Sequence, residues 1–391
     1  MKDRASQRNP FEYGRELGRD ELVDRQEELA RIAAVIRNRG RLFLIGPRRF
    51  GKTSLLSVAG EGAEENGVIV LRFDAEKYET LGVLSQAILT AGVRALRTPM
   101  EKASALINSV AASLRPRITL GPDGSLTIAL GVDAETHGEV PLLTDALDAI
   151  DDLASRIETE VVVILDEIQQ IVLEHGETAE RQLRATIQRH RHVGYIFAGS
   201  ATRLLTTMTE DAGRPFYRLG ERMFLGEVPK GEFLSFLVSA FQSSGFHVDP
   251  GGCEAIMEMA EEVPYNVQRL AHEAWEMLRA GTLGVLNPDG VADALRRIVK
   301  REDPAYTQIW SVLTKNQKKA LKAILESGGR KLQSGEVSRR SGISASSIQA
   351  ALKALEERHL IRQDARHGDV RHRLVDPFLG AWLEEAQKHG P

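Results

Sequence analysis

The pattern of apolar and polar residues predicts strands that alternate with helices over the first half of the chain. Apolar runs at 42–45, 68–73, 161–165 and 193–198 have the length of buried strands, and four residues of the third run are β-branched. The segments between the runs carry apolar residues at helical spacing, and so does the segment 20–38 before them. Because strands that alternate with helices form parallel sheets, this half predicts an α/β fold.

The second half of the chain predicts two further domains. Residues 230–280 have helical spacing throughout, which indicates a small helical domain. Residues 311–379 predict three helices and then two short strands around the turn His367-Gly368-Asp369, which is the plan of a helix-turn-helix with a wing. We therefore predict a core domain at 1–226, a helical domain at 227–305 and a winged helix at 306–391.

Residues 97–140 interrupt the alternation of strands and helices. They predict a helix at 100–114 and a β-hairpin around Gly121-Pro122-Asp123-Gly124, and together these form an insertion that projects from the sheet. Two roles remain open for this insertion, a structural flap or a surface that binds a protein partner.

One motif organises the core domain. Gly46 and Gly51-Lys52-Thr53 fit the P-loop pattern G-x-x-x-x-G-K-[ST], between a strand and a helix. Glycines let the backbone approach a phosphate closely, while the loop N–H groups and the helix N-terminus attract the anion. In this chemistry the lysine reaches the β- and γ-phosphates and the threonine hydroxyl can ligate Mg²⁺. The candidate nucleotide-binding residues are Gly46, Pro47, Arg48, Arg49, Phe50, Gly51, Lys52, Thr53 and Ser54.

Acidic residues end the apolar run at 161–165, and ligands of parallel sheets gather at such strand ends. Asp166 is predicted to hold Mg²⁺ through its water shell, and Glu167 to orient and deprotonate an attacking water. Ser200 ends the next strand, where its hydroxyl is placed to touch the γ-phosphate or that water. The sequence therefore predicts ATP and Mg²⁺ as cofactors and Lys52, Glu167 and Ser200 as catalytic residues.

The composition indicates a basic C-terminal region and a cytoplasmic protein. The chain has 391 residues and a net charge of −4, but residues 311–391 carry 15 Lys and Arg against 9 Asp and Glu. Such an asymmetry indicates a surface that faces nucleic acid. Cys253 is the only cysteine, so no intrachain disulfide can form, and no apolar run approaches membrane-spanning length. We therefore expect a cytoplasmic protein with no membrane association.

Together these features resemble the archaeal-type P-loop ATPase family, within the AAA+/STAND group of ATPases. The resemblance covers almost the whole chain. It rests on Phe11-Glu12-Tyr13-Gly14, Val23-Asp24-Arg25-Gln26-Glu27-Glu28-Leu29, the P-loop, Ile164-Leu165-Asp166-Glu167-Ile168-Gln169, Ala198-Gly199-Ser200, Pro264-Tyr265 and Val375-Asp376-Pro377-Phe378.

The resemblance implies a detailed arrangement. In the sheet, the Ser200 strand would separate the Asp166 strand from the P-loop strand, and 227–305 would be a lid with Pro264 heading a lid helix near the nucleotide. Tyr13, Val23 and Asp24 would pack on the adenine, although packing within the N-terminal segment is the alternative. Many AAA+ proteins place an arginine on the lid helix against the γ-phosphate. Here Pro264-Tyr265-Asn266-Val267 occupies that region and Arg269 follows a turn later, which favours a slow ATP-operated switch.

A further arginine is implied by the resemblance. AAA+ relatives often place one between the Ser200 strand and the last strand, where it reaches the γ-phosphate of a neighbouring subunit. Arg218 and Arg222 lie in this region and would require a homo-oligomer, or else they pair with Glu210, Asp211 or Glu221 of the same chain.

The leading functional prediction is an ATPase or ATP-dependent switch whose winged helix binds DNA. Two alternatives remain: a signalling scaffold whose winged helix binds protein, and a transcription regulator that senses ATP. The helix expected to enter the DNA groove, 345–358, offers Ser346, Ser347, Gln349 and Lys353, which predicts weak base readout. The basic residues expected at the DNA are Arg339, Arg340, Arg362, Arg366, Arg371 and Arg373.

Overall fold

The structure is a computed structural model that describes residues 8–95, 117–120, 126–129, 139–200, 203–366 and 369–389. The predicted helix at 100–114, the turn at 121–124 and residues His367 and Gly368 of the wing turn lie outside the described residues. The chain forms two compact units, Glu16–Gly226 and Met1–Arg15 together with Glu227–Pro391. The core unit therefore begins at Glu16, whereas the sequence prediction began it at residue 1.

The first unit is built on a five-stranded parallel sheet with the order β2-β5-β6-β1-β7. The Ser200 strand (β6) lies between the Asp166 strand (β5) and the P-loop strand (β1), which confirms the implied order. The strands are β1 (Arg41–Gly46), β2 (Ile69–Asp74), β5 (Val161–Asp166), β6 (Val193–Ser200) and β7 (Glu221–Phe224), and β3 (Arg117–Leu120) and β4 (Leu126–Ala129) pair separately as an antiparallel ladder in the insertion.

Helices cover this sheet, and their apolar faces form its core. β5 and β6 are buried along their whole length, as two-sided coverage requires. The helices are α1 (Gln26–Arg37), α2 (Lys52–Glu65), α3 (Leu81–Ala95), α4 (Glu139–Ile157), α5 (Gln169–Arg189) and α6 (Arg203–Glu210), with short 3₁₀ helices at Arg19–Glu21 and Ala75–Lys77.

Backbone geometry explains why two helices differ from their prediction. The helix predicted at 20–38 begins only at Gln26, because Asp24 has a left-handed φ of 41° and interrupts the helical path. The sequence also predicts a polar helix at 179–190, and in the structure this helix begins ten residues earlier, at Gln169, and contains a kink at Gly176 with a φ of 67°. Gln169, two residues after Glu167, is therefore the first residue of this helix.

The second unit contains the helical domain and the winged helix. Its first helices are α7 (Lys230–Ser243), α8 (Pro250–Met259), α9 (Pro264–Arg279) and α10 (Pro288–Ser311). The winged helix continues with α11 (Lys315–Ser327), α12 (Gly335–Ser341), α13 (Ala345–Glu357), the antiparallel pair β8 (Ile361–Arg366) and β9 (Asp369–Leu374), and α14 (Pro377–His389). Because α10 runs unbroken from 288 to 311, the predicted domain boundary at 305/306 falls inside a helix.

The N-terminal segment packs on the helical domain. Phe11 is fully buried and its ring centroid lies 4.5 Å from that of Phe241 in α7. The His272 ring nitrogen Nδ1 lies 2.7 Å from the Phe11 carbonyl oxygen, and the Asn9 amide donates to the His272 carbonyl. These contacts explain why residues 8–15 belong to the second unit. Among the residues that the structure describes, no helix combines the length and apolar content needed to cross a bilayer.

Candidate nucleotide-binding site

The candidate site lies at the carboxyl ends of β1, β5 and β6, which we call the P-loop edge. In the register of the sheet Gly46 pairs with Ser200 and Asp74 pairs with Asp166, so the ends of four neighbouring strands meet there. The sequence motifs at 46–54, 166–167 and 200 are thereby brought together by the order of the strands. This is the edge at which parallel sheets bind their ligands.

The P-loop connects β1 directly to α2. Gly51 has a φ of 86°, a left-handed conformation that a residue with a side chain rarely adopts, and α2 begins at the next residue, Lys52. The N-terminal N–H groups of this 14-residue helix have no partner within the helix, which is the arrangement that binds phosphate.

Lys52 is buried at the centre of the loop. Its Nζ donates to the carbonyl oxygens of Gly46 at 3.0 Å and Pro47 at 3.3 Å, and only 6% of the residue is exposed. Burial lowers the pKa of this ammonium group, and the negative charges of Glu167 and Asp166 offset part of the effect. The lysine is thus a buried cation next to two acids.

Thr53 and Asp166 are the candidate ligands for a divalent metal. Thr53 Oγ1 lies 3.5 Å from Asp166 Oδ2. Burial raises the pKa of the Asp166 carboxyl, and the neighbouring charge of Glu167 raises it further. The described residues contain no cluster of three His, Cys, Asp or Glu side chains that would form a complete metal cage. One carboxylate and one hydroxyl fit Mg²⁺, because this ion usually keeps several waters and binds substrate phosphates.

Glu167 is held by donors on two sides. Ser200 Oγ donates to Glu167 Oε1 at 3.1 Å, the Ser200 N–H donates to Oε2 at 3.3 Å, and the Gln169 amide also donates to Oε2. The backbone φ of Glu167 is 50°, and its N–H donates to Asp166 Oδ1 at 2.9 Å. Ser200 therefore contacts the predicted base directly, through the carboxylate.

The remaining loop residues differ in what they offer a phosphate. Pro47 has no N–H to donate, and Phe50 is buried, so its side chain is part of the core. Ser54 is also buried, and its Oγ accepts the Leu17 N–H at 3.0 Å, which leaves its hydroxyl engaged with the N-terminal segment of the unit. Arg48 is paired with Glu76 at 3.3 Å, and Arg49 has a φ of 72°.

The residues expected at the adenine fall into both units. Val23 and Asp24 belong to the first unit, directly before α1, where both are partly exposed. Tyr13 and Pro264 belong to the second unit. There the Tyr13 ring packs edge-on against Tyr265 at 5.8 Å and His272 at 5.1 Å, and Pro264 is the first residue of α9.

Arg218 and Arg222 lie at the opposite end of the strands from the P-loop. β7 begins at Glu221 and runs parallel to β1, with Leu42 opposite Glu221, so residues just before β7 lie at the amino ends. Arg222 pairs with Glu210 at 3.3 Å, one of the expected intrachain acids, whereas Glu221 pairs with Arg31. Arg218 is exposed, and its guanidinium carbon lies 5.1 Å from the centre of the Tyr217 ring.

The structure separates the basic residues predicted for DNA into two groups. Arg371 donates to the Gly328 carbonyl at 2.6 Å, Arg373 donates to Glu261 in the loop after α8 at 3.3 Å, and Arg362 is half-buried. The side chain of Arg366 lies outside the description. Arg339 and Arg340 are exposed at the end of α12, and Arg340 pairs with Glu326 at 3.1 Å. Arg371 and Arg373 are partly exposed and also support the packing of the domain, and their place at DNA stays a prediction.

Comparisons with known proteins agree with this architecture. A Walker-type ATPase of Pyrococcus abyssi aligns over 96% of this chain and 99% of its own, at 18% identity and a TM-score of 0.63. The ORC2 protein of Aeropyrum pernix, solved as ADPNP–ADP complexes, aligns over 98% and 99% of the two chains, at 17% identity and a TM-score of 0.59. The chain shares their fold. It consists of an AAA+-like P-loop core and a C-terminal winged helix, as predicted.

Two further comparisons delimit this result. Residues 304–385 match the family model described as "Probable winged helix domain". The match begins two residues before residue 306, where the sequence predicts the start of the winged helix. No curated protein matches the chain in sequence. The likeness to solved structures, at identities of 17–18%, therefore establishes the fold, and the activity has to be argued from the site.

Sequence reasoning missed two polar residues at the P-loop edge. Asp74 ends β2 opposite Asp166, and its charge contributes to the raised pKa of the Asp166 carboxyl, after burial and the charge of Glu167. An acid at the end of a predicted strand was the available signal. Gln169 follows the Asp-Glu pair in the sequence, but spacing alone gives it no role, because its contact with Glu167 depends on where α5 begins.

Proposed function

We propose that the chain binds ATP with Mg²⁺ and hydrolyses it to ADP and phosphate. The observation that supports this proposal is the convergence of Lys52, Thr53, Asp166 and Glu167 at one edge of a parallel sheet. A buried cation, a hydroxyl–carboxylate pair and a second carboxylate held by hydrogen bonds are the parts that phosphoryl transfer to water requires.

Each residue has a separate task in this proposal. Lys52 exchanges its two loop carbonyl contacts for the β- and γ-phosphates and balances their charge. Thr53 and Asp166 would hold Mg²⁺, which would supply positive charge to the phosphate oxygens. Glu167 accepts the proton of the attacking water, and Ser200 keeps its carboxylate in place.

Phosphate release by the full-length protein, with Mg²⁺ and ATP, tests this function. Lys52→Ala should abolish nucleotide binding or reduce turnover strongly, whereas Lys230→Ala, on an exposed residue of α7, is the matched control and should match wild type. Glu167→Gln should bind a fluorescent ATP analogue normally but fail to turn over, because an amide cannot take a proton from water. Wild-type turnover by Lys52→Ala would contradict the proposal.

Duplex DNA is the second ligand that we propose, bound by the winged helix. The supporting observation is that Arg339, Arg340 and Lys353 are exposed on α12 and α13, the two helices of the helix-turn-helix plan. Because α13 exposes Gln349 and Lys353 but no arginine within its bounds, contacts with phosphates should dominate over base readout. ATP turnover would then be coupled to DNA. The scaffold alternative instead predicts a protein partner, and the transcription-regulator alternative predicts DNA binding with ATP only as a sensed ligand.

Binding of the full chain to a fluorescent duplex, at several salt concentrations, tests this second proposal. The double variant Arg339→Glu, Arg340→Glu should lose binding, and wild-type affinity should fall steeply with salt because phosphate contacts release counterions. Arg296→Glu with Arg297→Glu, exposed on α10, is a charge-matched control that should retain binding. Turnover measured with and without duplex adds a second readout. No affinity at low salt would favour the scaffold alternative.

A further inference from the structure

The carboxylate of Glu167 has one oxygen that is saturated by donors and one that is not. Oε2 accepts the Gln169 amide and the Ser200 N–H, which fill the two acceptor positions of a carboxylate oxygen. The Ser200 hydroxyl has one proton and lies closer to Oε1, at 3.1 Å, than to Oε2, at 3.4 Å. Oε1 therefore keeps one acceptor position.

The Gln169 side chain is buried beside the Glu167 carboxylate. It is the first residue of α5 and is 4% exposed, although an amide side chain is ordinarily placed in water. The backbone of Gly199 makes room for it, since a Cβ at position 199 would lie 2.2 Å from Gln169 Oε1. That oxygen accepts no hydrogen bond from any residue in the described ranges, so the amide is engaged only through its N–H donors toward Glu167.

We propose that Gln169 is a positioning residue that ties Glu167 Oε2 to the protein and leaves Oε1 to accept the proton of the attacking water. This inference rests on the proposed ATPase function. The amide and the Ser200 N–H together prevent the carboxylate from rotating, because both bind the same oxygen from two different chain segments. A general base has to meet its water within hydrogen-bond reach, and a displacement of about 1 Å costs about 10²-fold in rate.

Gln169→Leu tests this role, because leucine has a similar volume and no donor. We expect kcat for ATP to fall about 10- to 100-fold, with KM and the affinity for a fluorescent ATP analogue within about twofold of wild type. Gln170→Leu is the matched control. Gln170 is the neighbouring residue, its amide reaches Glu76 at 3.4 Å, and kcat should stay at the wild-type value.

The outcomes distinguish this inference from the function on which it rests. Wild-type kcat in Gln169→Leu would overturn the role of Gln169 while the ATPase stands. A wild-type chain that binds the analogue but releases no phosphate would overturn the hydrolytic function and this role with it. Loss of analogue binding in Gln169→Leu would identify a merely structural residue and would also overturn the proposal.

Discussion

Lys52 and Asp166 are two charged residues that become buried when the chain folds. Both are about 5% exposed, 6% for Lys52 and 5% for Asp166. Burial lowers the pKa of the lysine and raises that of the aspartate, so in each case the charged form is disfavoured in the folded chain. A bound metal and a bound polyphosphate would each supply the opposite charge. The P-loop edge is therefore less stable without its ligands than its packing alone would make it.

Asp166→Asn should stabilise the ligand-free protein. Because the pKa of Asp166 is raised in the folded state, its contribution to stability is present below the unfolded value of 3.8 and is lost as pH rises through the folded pKa. At neutral pH the neutral amide avoids this cost, and we expect a melting temperature about 2–4 °C above wild type by calorimetry.

Metal and pH provide the controls for this prediction. Mg²⁺-dependent binding of the ATP analogue should weaken in Asp166→Asn, and the gain in melting temperature should shrink below pH 4. Asp293→Asn removes an exposed carboxylate on α10 and should leave the melting temperature nearly unchanged. A lower melting temperature for Asp166→Asn at pH 7 would show that its charge is compensated in the free protein.

The difference between Lys52 and Gln169 shows how far sequence reasoning reaches at this scale. Lys52, Thr53 and Asp166 could be selected from the sequence, because each is recognised by residue type and spacing within its own short motif. Gln169 could not, since its partner Glu167 lies two residues away along a strand-to-helix turn that has a left-handed φ. The backbone of that turn, and the contact of Ser200 on the next strand with Glu167, decide whether the Gln169 side chain faces the carboxylate or points away from it.

Among the elements, α9, α10 and α14 are joined by a partly buried cluster of charged and aromatic residues. Arg269 of α9 pairs with Glu302 of α10, and its guanidinium carbon lies 5.6 Å from the centre of the Phe378 ring of α14. Tyr306 of α10 donates its hydroxyl to Asp376 at 3.3 Å. Arg269 is thus engaged between the helical domain and the winged helix.

Arg269→Met should loosen the attachment of the winged helix to the helical domain. The variant keeps the apolar volume of the arginine stem but loses the ion pair, and we expect a loss of about 1–3 kcal/mol. Hydrogen exchange of the amides in α14 should rise more than exchange in α2, which lies in the other unit. Arg279→Met, which removes an exposed pair with Glu276 and a contact with Trp275, is the matched control and should cost at most about 1 kcal/mol. Equal effects of the two variants would contradict a special role for Arg269.

The course of α10 shows why element boundaries were harder to predict than elements. Pro304 lies inside this helix, although proline lacks an N–H and clashes with the preceding turn in a helix interior. The helix nevertheless continues to Ser311, and its last turns contact α14 through Tyr306 and Trp310, whose rings lie 6.1 and 6.4 Å from Trp382. These partners are more than 70 residues away along the chain, so a local pattern could not reveal them.

Over the whole molecule, the arrangement of the sheet places its candidate chemistry at two opposite edges. The P-loop, Asp166 and Glu167 lie at the carboxyl ends of the strands, while Arg218 lies before β7, at the amino ends. Arg218 forms no ion pair with any residue for which the structure describes a side chain, in contrast to Arg214 and Arg222, which pair with Glu180 and Glu210. A role for Arg218 at a γ-phosphate therefore requires the nucleotide of a second copy of this chain.

A mixing experiment decides whether Arg218 acts in this way. An arginine that reaches the nucleotide of a neighbouring subunit is called an arginine finger. It supplies positive charge where the transition state develops negative charge, and in GTPases it raises the rate by a factor of about 10³–10⁵. We expect specific activity to rise with protein concentration and Arg218→Ala to be inactive alone. Mixing Arg218→Ala with Lys52→Ala should restore part of the turnover, because one copy then offers an intact P-loop and the other an intact arginine.

Arg222→Ala is the matched control for this last prediction, since Arg222 occupies the same edge but is paired with Glu210. It should retain turnover and should not be needed for rescue. Sedimentation of the wild type with a slowly hydrolysed ATP analogue should show association in the concentration range where the specific activity rises. Activity that is independent of concentration, with no rescue on mixing, would instead identify a monomeric switch in which Arg218 is a surface residue stacked on Tyr217.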